Sequence, residues 1–544
     1  MTTSPLYFSV MHKILGARFA RFEHRTARLD GWGGVSLAAV VALMGCVNIA
    51  PAIGADGGPR PYGSGAFGRW IEDGFALPAY RIEIDERSPS ATLHINQSDG
   101  PASPFAPGYP VVHRVGNDHI SGYAYNMGYT QFWIQDRERQ WLNFYDEAAA
   151  HYAGGYGYLK IGDRLFTSVQ IDQPKGHVAG SEFGIGYVRR AVKAGALNLE
   201  EHVYAPFGDD SVLLHDVTIT NTGNEGQKAV WWEYWDVNPT VADVGGGDPS
   251  ITSEKYGSVK AILDGNLKLK MVQRGIDSPK FDGERSALTV RQRSYESDNA
   301  SSSIFLVALN APVDGFETRT HAFFGDGGRQ SPSEAIVDRA GNGLSAPTEN
   351  GDSGDCLLVL RSPIDLQPGQ SVTLRYAYGA ANPNRIGAIV DKYRGATNFL
   401  AESERRWLEW LPVSNFGENY IWLSRELKWS AYYERSGLAY DEVWGHRSAG
   451  GAGGNGLGVV GLAPPEAVSY TSAELSRDLF RFALILQDPL TGERPDSLGN
   501  MGKVLNENDN KILTDSDCWL LGTLAFSMKG SRFGREVTPR CGIT

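Results

Sequence analysis

The side chains best suited to acid–base chemistry stand near the end of this 544-residue chain. Carboxyl and imidazole groups can donate and accept protons, and those found there belong to Asp441, Glu442, His446, Glu466, Asp515 and Asp517. Each type also has a common structural role, because an Asp before a helix often caps it and a lone His is usually structural. Asp515 precedes an apolar run and fits an N-cap as well as a binding role.

Several other chemistries are excluded by composition and spacing. The glycine run between Ser448 and Glu466 has neither the Lys-Ser/Thr ending nor the strand and helix setting of a nucleotide-binding loop. Cysteines occur only at 46, 356, 518 and 541, without a CxxC pair, so a structural zinc site is not predicted. A net charge of −12 argues against a general nucleic-acid binder. We therefore expect no cofactor and no nucleic-acid partner.

Residues 1–55 have the succession of regions that is typical of an export signal. Five basic residues precede the apolar run Val35–Met44, and small residues follow up to Ala55. This order predicts a protein exported to the periplasm or the extracellular space and cleaved after Ala55. The word Leu43-Met44-Gly45-Cys46 is similar to a lipoprotein box, so a lipid on Cys46 is one alternative. An uncleaved anchor is another.

The chain from 65 to 380 has the pattern of a β-protein. Strand-length runs occur at Leu197–Ala205, Val212–Thr220 and Val230–Val237, and apolar and polar residues alternate along the second of them. Turn residues follow at 221–224. Further short apolar runs, among them Thr320–Phe324, are read as strands. This pattern predicts a large antiparallel β-super-sandwich.

Helical spacing replaces the strand pattern near residue 382. The segment 384–411 predicts a linker helix, and Glu418–Ser436 predicts a second helix with an aromatic face. Two more helices are predicted over Ser472–Gln487 and Asp515–Met528. The predicted order is therefore the sandwich, a linker helix and a helical domain over 416–544.

Some short sequence segments are similar to those of a known family. The stretch from Phe183 to Asp243, together with Leu427–Tyr433, Tyr440–His446 and Tyr470–Asp478, resembles glycoside hydrolase family 94, the cellobiose-phosphorylase-like and cyclic-β-1,2-glucan-synthase-like proteins. The resemblance implies a β-super-sandwich, a helical linker and an (α/α)6 barrel. Only the opening helices of such a barrel fit within 416–544. The final segment SRFGREVTPRCGIT is unlike the family, which leads us to expect a truncated or frameshifted gene product.

The resemblance also implies a function. It implies an exported carbohydrate-active protein that acts on a β-glucan or oligosaccharide by inversion, as a glycoside hydrolase or phosphorylase. The implied partners are that saccharide and, for phosphorolysis, inorganic phosphate; a homodimer is left open. Asp441, Glu442, His446, Asp515 and Asp517 are the implied substrate-binding candidates.

This sequence differs from the family at the position of the catalytic acid. An Arg-Asp pair supplies the acid there, whereas Pro464-Pro465 occupies the corresponding position here. Glu466 is the nearest carboxylate and the candidate acid, with a solvated loop residue as its alternative role. We therefore expect a poor catalyst. A non-catalytic carbohydrate-binding remnant is the second hypothesis, and an exported structural β-protein ranks last.

Overall fold

The computed structural model describes residues 64, 68–82, 112–134, 140–173, 180–243, 270–294, 302–352, 354–395, 398–441, 445–448, 460–461, 497–498 and 504–505. The predicted export segment and Cys46 lie outside these residues. Within the described part of the chain, no helix combines the length and apolar character needed to cross a membrane.

Strands are the commonest secondary structure in the described part of the chain. The first thirteen are β1 (Gly68–Glu72), β2 (Pro78–Ile82), β3 (Val112–Gly116), β4 (Ile120–Tyr125), β5 (Thr130–Ile134), β6 (Gln140–Trp141), β7 (Gly154–Ile161), β8 (Arg164–Thr167), β9 (Gly180–Gly184), β10 (Tyr187–Ala194), β11 (Leu197–Tyr204), β12 (Val212–Asn221) and β13 (Gln227–Asp236). The others are β14 (Thr240–Asp243), β15 (Lys270–Gln273), β16 (Lys280–Asp282), β17 (Ala287–Arg291), β18 (Ser303–Ala308), β19 (Gly315–Glu317), β20 (Leu357–Leu366), β21 (Ser371–Ala381), β22 (Leu438–Asp441), β23 (Gly445–Ser448), β24 (Val460–Gly461), β25 (Ser497–Leu498) and β26 (Val504–Leu505).

These strands form three large antiparallel sheets. Sheet A has ten strands in the order β1-β2-β9-β10-β11-β12-β21-β18-β17-β16. Sheet B has five strands, β19-β20-β13-β7-β8, and sheet C has six, β15-β14-β6-β5-β4-β3. The antiparallel β-architecture predicted for this region is thereby confirmed. The small sheets β22-β23 and β24-β25-β26 follow later in the chain.

One apolar core joins the three sheets. Side chains from sheet A, such as Leu213 and Val217, share a buried cluster with Trp231 of sheet B and Phe132 of sheet C. Because strand side chains alternate between faces, Leu214 on the same strand as Leu213 packs in a different cluster, on the opposite face of sheet A. The alternation seen in Val212–Thr220 is therefore the alternation between the two faces of β12.

Five α-helices complete the described structure. They are α1 (Thr320–Phe324), α2 (Ser333–Val337), α3 (Pro383–Arg394), α4 (Phe399–Trp410) and α5 (Ile421–Arg435). The prediction of a strand over Thr320–Phe324 is wrong, because this run forms α1 and buries Phe323 and Phe324 against the outer face of sheet B. A five-residue apolar run does not distinguish a strand from a helical turn.

The segment 384–411, predicted as one helix, contains two. Asn382 caps α3 by accepting a hydrogen bond from the Asn384 N–H, and Asn398 caps α4 through the Ala401 N–H. A second cap within the segment starts a new helix and so breaks the predicted one. The helices predicted over 472–487 and 515–528 lie outside the described residues. The (α/α)6 barrel therefore stays a prediction.

Candidate functional site

Helix α5 is fixed to strand β3 of the sandwich by tyrosine hydroxyls. The Tyr432 hydroxyl donates to the Arg114 carbonyl oxygen at 2.7 Å and accepts from the Gly116 N–H at 3.1 Å. A Cβ on Gly116 would lie 2.6 Å from the Ser436 carbonyl oxygen, so glycine permits this close approach. Strand β3 is thereby held at the end of α5, next to the hairpin β22-β23.

His113 completes this contact as a neutral residue. Its Nε2 lies 2.7 Å from the Gly184 carbonyl oxygen and must carry the proton, since a carbonyl only accepts. Its Nδ1 is then free to accept from the Tyr433 hydroxyl at 2.9 Å. Burial lowers the pKa of His113 to about 3. The ring is therefore a structural bridge between three elements rather than a proton carrier.

A buried ion pair strengthens the contact at this C-terminal end of α5. Both oxygens of Asp118 accept from Arg435, at 2.6 and 2.7 Å, and the two side chains are only 8% and 7% exposed. The Arg435 guanidinium also lies 4.4 Å from the centre of the Phe207 ring. The two-pronged geometry fixes the turn between β3 and β4 relative to the helix.

Asn117 shapes that turn and so places His119. Its side-chain oxygen accepts from the N–H groups of His119 and Ile120, the hydrogen-bond pattern of an Asx turn. Its Nδ2 donates to the carbonyl oxygens of Pro206 and Asp210. The turn is thus tied to the loop after β11, and His119 faces the hairpin β22-β23.

His119, Tyr440 and His446 form an aromatic group where the hairpin β22-β23 meets the sandwich. This place is called the junction below. The ring centres of His119 and Tyr440 are 4.8 Å apart, and those of Tyr440 and His446 are 5.2 Å apart. Tyr440 pairs with His446 across the hairpin. Nδ1 of His119 donates to the Asp209 carbonyl oxygen at 2.8 Å. Burial is the main cause that lowers the pKa of His119 to about 4; the hydrogen bond and charge of Asp209 oppose this fall, and the charges of His446 and Arg385 add to it.

The structure brings two of the predicted site residues into one hairpin. Asp441 ends β22 opposite Gly445, one position from the pair formed by Tyr440 and His446. Glu442, Glu466, Asp515 and Asp517 lie outside the described residues, and their roles stay predictions. His119 was not among the site residues predicted from the sequence, although the segment Asn117-Asp118-His119 has the composition of a tight turn. No group of three or more metal-binding side chains occurs among the described residues.

Two buried histidines, His113 and His119, predict that the folded protein loses stability in acid. An unfolded histidine titrates near 6.5, whereas His113 and His119 take up a proton only near pH 3–4 in the folded chain. The unfolded state therefore binds more protons between these values, so stability present above pH 6.5 is lost as the pH falls. We expect His113→Gln to reduce this loss by roughly 2–3 kcal/mol between pH 6.5 and 4.5.

Urea unfolding over this pH range tests the expectation. The matched control is His321→Gln, since His321 is an exposed histidine. A pH slope that stays the same in His113→Gln and in the control would show that His113 is protonated in the folded state.

Comparison with known proteins gives a family for part of the chain. Residues 273–396 match the family described as glycosyl hydrolase 94, supersandwich domain. The resemblance to family 94, predicted from other segments of the sequence, is thus confirmed by residues 273–396, a segment that contains β16 to β21 and α1 to α3. No match was found among the curated proteins.

Two solved structures are similar over most of the chain. A protein from the human microbiome assigned as a kojibiose phosphorylase is 9% identical, with a TM-score of 0.46, over 76% of this chain and 53% of its own. The family GH92 α-mannosidase of Bacteroides thetaiotaomicron is 11% identical, with a TM-score of 0.35, over 76% of this chain and 51% of its own. The chain spans about half the length of each.

Proposed function

We propose that this chain is an exported carbohydrate-active protein of the inverting glycoside hydrolase or glycoside phosphorylase type, acting on a β-glucan or oligosaccharide. The match of residues 273–396 to the glycosyl hydrolase 94 supersandwich domain carries the proposal. The basic, apolar and small-residue order of residues 1–55 supports export, which the intact mass of the secreted protein tests.

The junction is the proposed place of saccharide binding. Tyr440 offers a ring on which the C–H face of a sugar can stack, and His446 stands beside it with ring nitrogens that bond hydroxyl groups. Asp441 ends strand β22 and Glu442 follows it in the sequence, so their carboxylates are proposed as further hydroxyl contacts. Asp515 and Asp517 are proposed as contacts from the helical domain.

The proposed reaction needs one proton donor and one nucleophile. In inversion, a carboxylic acid protonates the leaving oxygen while water, activated by a second carboxylate, attacks the opposite face of the sugar. In a phosphorylase, inorganic phosphate takes the place of the water. We propose Glu466 as the donor, because it is the carboxylate nearest to the position that holds the Arg-Asp pair in family 94.

The substitution Glu466→Gln tests this role. Loss of a general acid is expected to lower the rate of oligosaccharide cleavage by about 10²–10⁴-fold while binding persists. Proton NMR of the first-formed sugar anomer, with and without inorganic phosphate, measures both the rate and the choice of nucleophile. Glu418→Gln is the control, since Glu418 is an exposed carboxylate. Unchanged cleavage in Glu466→Gln would place the acid elsewhere.

A second candidate function is carbohydrate binding without catalysis. It is favoured by Pro464-Pro465, which can donate no proton at the position of the family acid. In that case the wild type and Glu466→Gln are equally inert, while an oligosaccharide still binds and Tyr440→Ala weakens its binding. Cleavage by the wild-type chain would exclude this second function.

A further inference from the structure

A cluster of tyrosines lies at the far end of strand β4 from His119. The rings of Tyr125 and Tyr129 stack with their centres 4.6 Å apart, Tyr129 and Tyr145 stack at the same distance, and Tyr145 meets the edge of Tyr152 at 6.5 Å. Strand β4 has six residues, so the cluster is about 20 Å from the junction. Tyr125 and Tyr145 are partly exposed, whereas Tyr129 is buried between them.

Several loops converge on these rings. Tyr125 ends β4 and Tyr129 lies in the turn between β4 and β5, whereas Tyr145 and Tyr152 belong to the connection between β6 and β7. The loop after β8 joins them through a hydrogen bond from the Ile171 N–H to the Met127 carbonyl oxygen. Loops held by a rigid sheet are common positions for binding residues.

A buried ion pair sits beside the tyrosine cluster. Nε of Arg329 is 3.3 Å from Oδ2 of Asp172, and the two side chains are 5% and 2% exposed. The Arg329 guanidinium is 5.5 Å from the centre of the Tyr152 ring. Burial raises the pKa of Tyr145 to about 12, and the charge of Arg329 opposes that rise.

The pair does not satisfy its own hydrogen-bonding groups. Nη1 of Arg329 is buried and has no hydrogen-bond partner among the residues that the structure describes. Asp172 has Arg329 as its ion partner and the side chain of Gln330 as a hydrogen-bond donor, which leaves lone pairs on its carboxylate. Buried donors without a partner are uncommon in native proteins and need an explanation such as water, an ion or a ligand.

We infer that the tyrosine cluster, with Arg329 and Asp172, is a second binding subsite that takes a ring of a neutral saccharide. Neighbouring hydroxyl groups of a sugar both donate and accept hydrogen bonds, which matches a guanidinium beside a carboxylate. The partly exposed rings supply the apolar surface on which a sugar face packs. The neutral pair and the net charge of −12 favour an uncharged ligand over an acidic one.

This inference rests on the proposed function only for the class of ligand. The subsite lies at the opposite end of β4 from the junction, so it binds saccharide apart from any cleavage site. Its role is to hold a long or polymeric substrate at a second point.

Calorimetric titration of the full chain tests the subsite. The probes are β-1,2-, β-1,3- and β-1,4-linked glucotetraoses, with an oligogalacturonide as the acidic comparison. Tyr145→Ala is expected to weaken binding of the preferred glucotetraose roughly tenfold. Arg329→Lys, which keeps the charge opposite Asp172 but loses the forked donor, is expected to weaken it also. Tyr80→Ala, at a half-buried tyrosine of sheet A, is the control and should bind like the wild type.

The outcomes separate the subsite from the proposed function. Weaker binding in Tyr145→Ala, with an unchanged melting temperature and unchanged binding in Tyr80→Ala, supports the subsite even if the chain cleaves nothing. Binding that Tyr440→Ala abolishes and Tyr145→Ala leaves intact overturns the subsite and supports the junction. No binding of any glucotetraose, or tighter binding of the oligogalacturonide, also overturns it.

Discussion

Replacing Glu233 with alanine is expected to lower the free energy of unfolding by roughly 3–5 kcal/mol. The Glu233 carboxylate is fully buried and accepts three hydrogen bonds. Nδ1 of His215 donates at 2.7 Å, and the indole N–H groups of Trp231 and Trp235 donate at 2.9 and 2.8 Å. Alanine would leave all three donors without an acceptor, and water cannot reach them.

The cost is large because the network joins two sheets. Glu233 lies on β13 of sheet B, whereas His215 lies on β12 of sheet A. Nε2 of His215 lies 3.6 Å from Glu201, and Glu201 in turn pairs with Arg190 at 3.2 Å. Removing one carboxylate therefore leaves an excess of buried positive charge between the sheets.

Stability measured against pH identifies the mechanism. Burial lowers the pKa of His215, but the charges of Glu233 and Glu201 and their hydrogen bonds raise it overall to about 9. A raised pKa means stability that is present below pH 6.5 and is lost as the pH rises toward 9. Glu233→Ala should therefore reduce the loss of stability between pH 6.5 and 9. It should also lower the free energy of unfolding below pH 6.5.

Urea unfolding from pH 6 to 9 provides the measurement. Glu225→Ala, which changes an exposed glutamate in the turn before β13, is the control and should differ from the wild type by less than about 0.5 kcal/mol. A Glu233→Ala protein as stable as this control, with the alkaline slope intact, would show that the network contributes nothing to stability.

His215 also shows how far the sequence predicts this fold. It occupies the same face as Leu213, Val217 and Ile219, so the period of two places it correctly on the core side of a strand. Periodicity is a local property and identifies the face. It does not identify Glu233, which meets His215 only because two separate sheets stack.

The candidate site was predictable to a smaller extent for the same reason. The segment Tyr440–His446 was predicted to belong to the site because it resembles segments of family 94. In the structure, His446 lies in the hairpin β22-β23, next to the sandwich. Its neighbour His119 comes from a turn more than three hundred residues earlier. Only the docking of α5 on β3 brings these two histidines to one place, and no local pattern in the sequence encodes that contact.

Removal of Arg435 is the second substitution with a large expected effect. Arg435→Met keeps much of the aliphatic volume against Phe207 but leaves Asp118 buried without its cation. Breaking a buried ion pair by removing one partner costs roughly 3–5 kcal/mol, because the remaining charge is uncompensated. We expect a loss of this size, with the contact between α5 and the turn at Asn117–His119 affected first.

A double-mutant cycle separates the ion pair from simple loss of packing. If the charge left behind causes the damage, Asp118→Ala combined with Arg435→Met should be more stable than the two single effects predict, by roughly 1–3 kcal/mol. Arg405→Met is the matched control, since Arg405 pairs with Glu409 on the exposed face of α4, and we expect it to cost less than about 1 kcal/mol. Arg435→Met that costs no more than Arg405→Met, or additive single effects, would mean that the pair does not hold the junction.

Because Asp118 precedes His119, a junction loosened in this way should also weaken saccharide binding at Tyr440 and His446, and calorimetry on the same variants measures whether stability and binding change together.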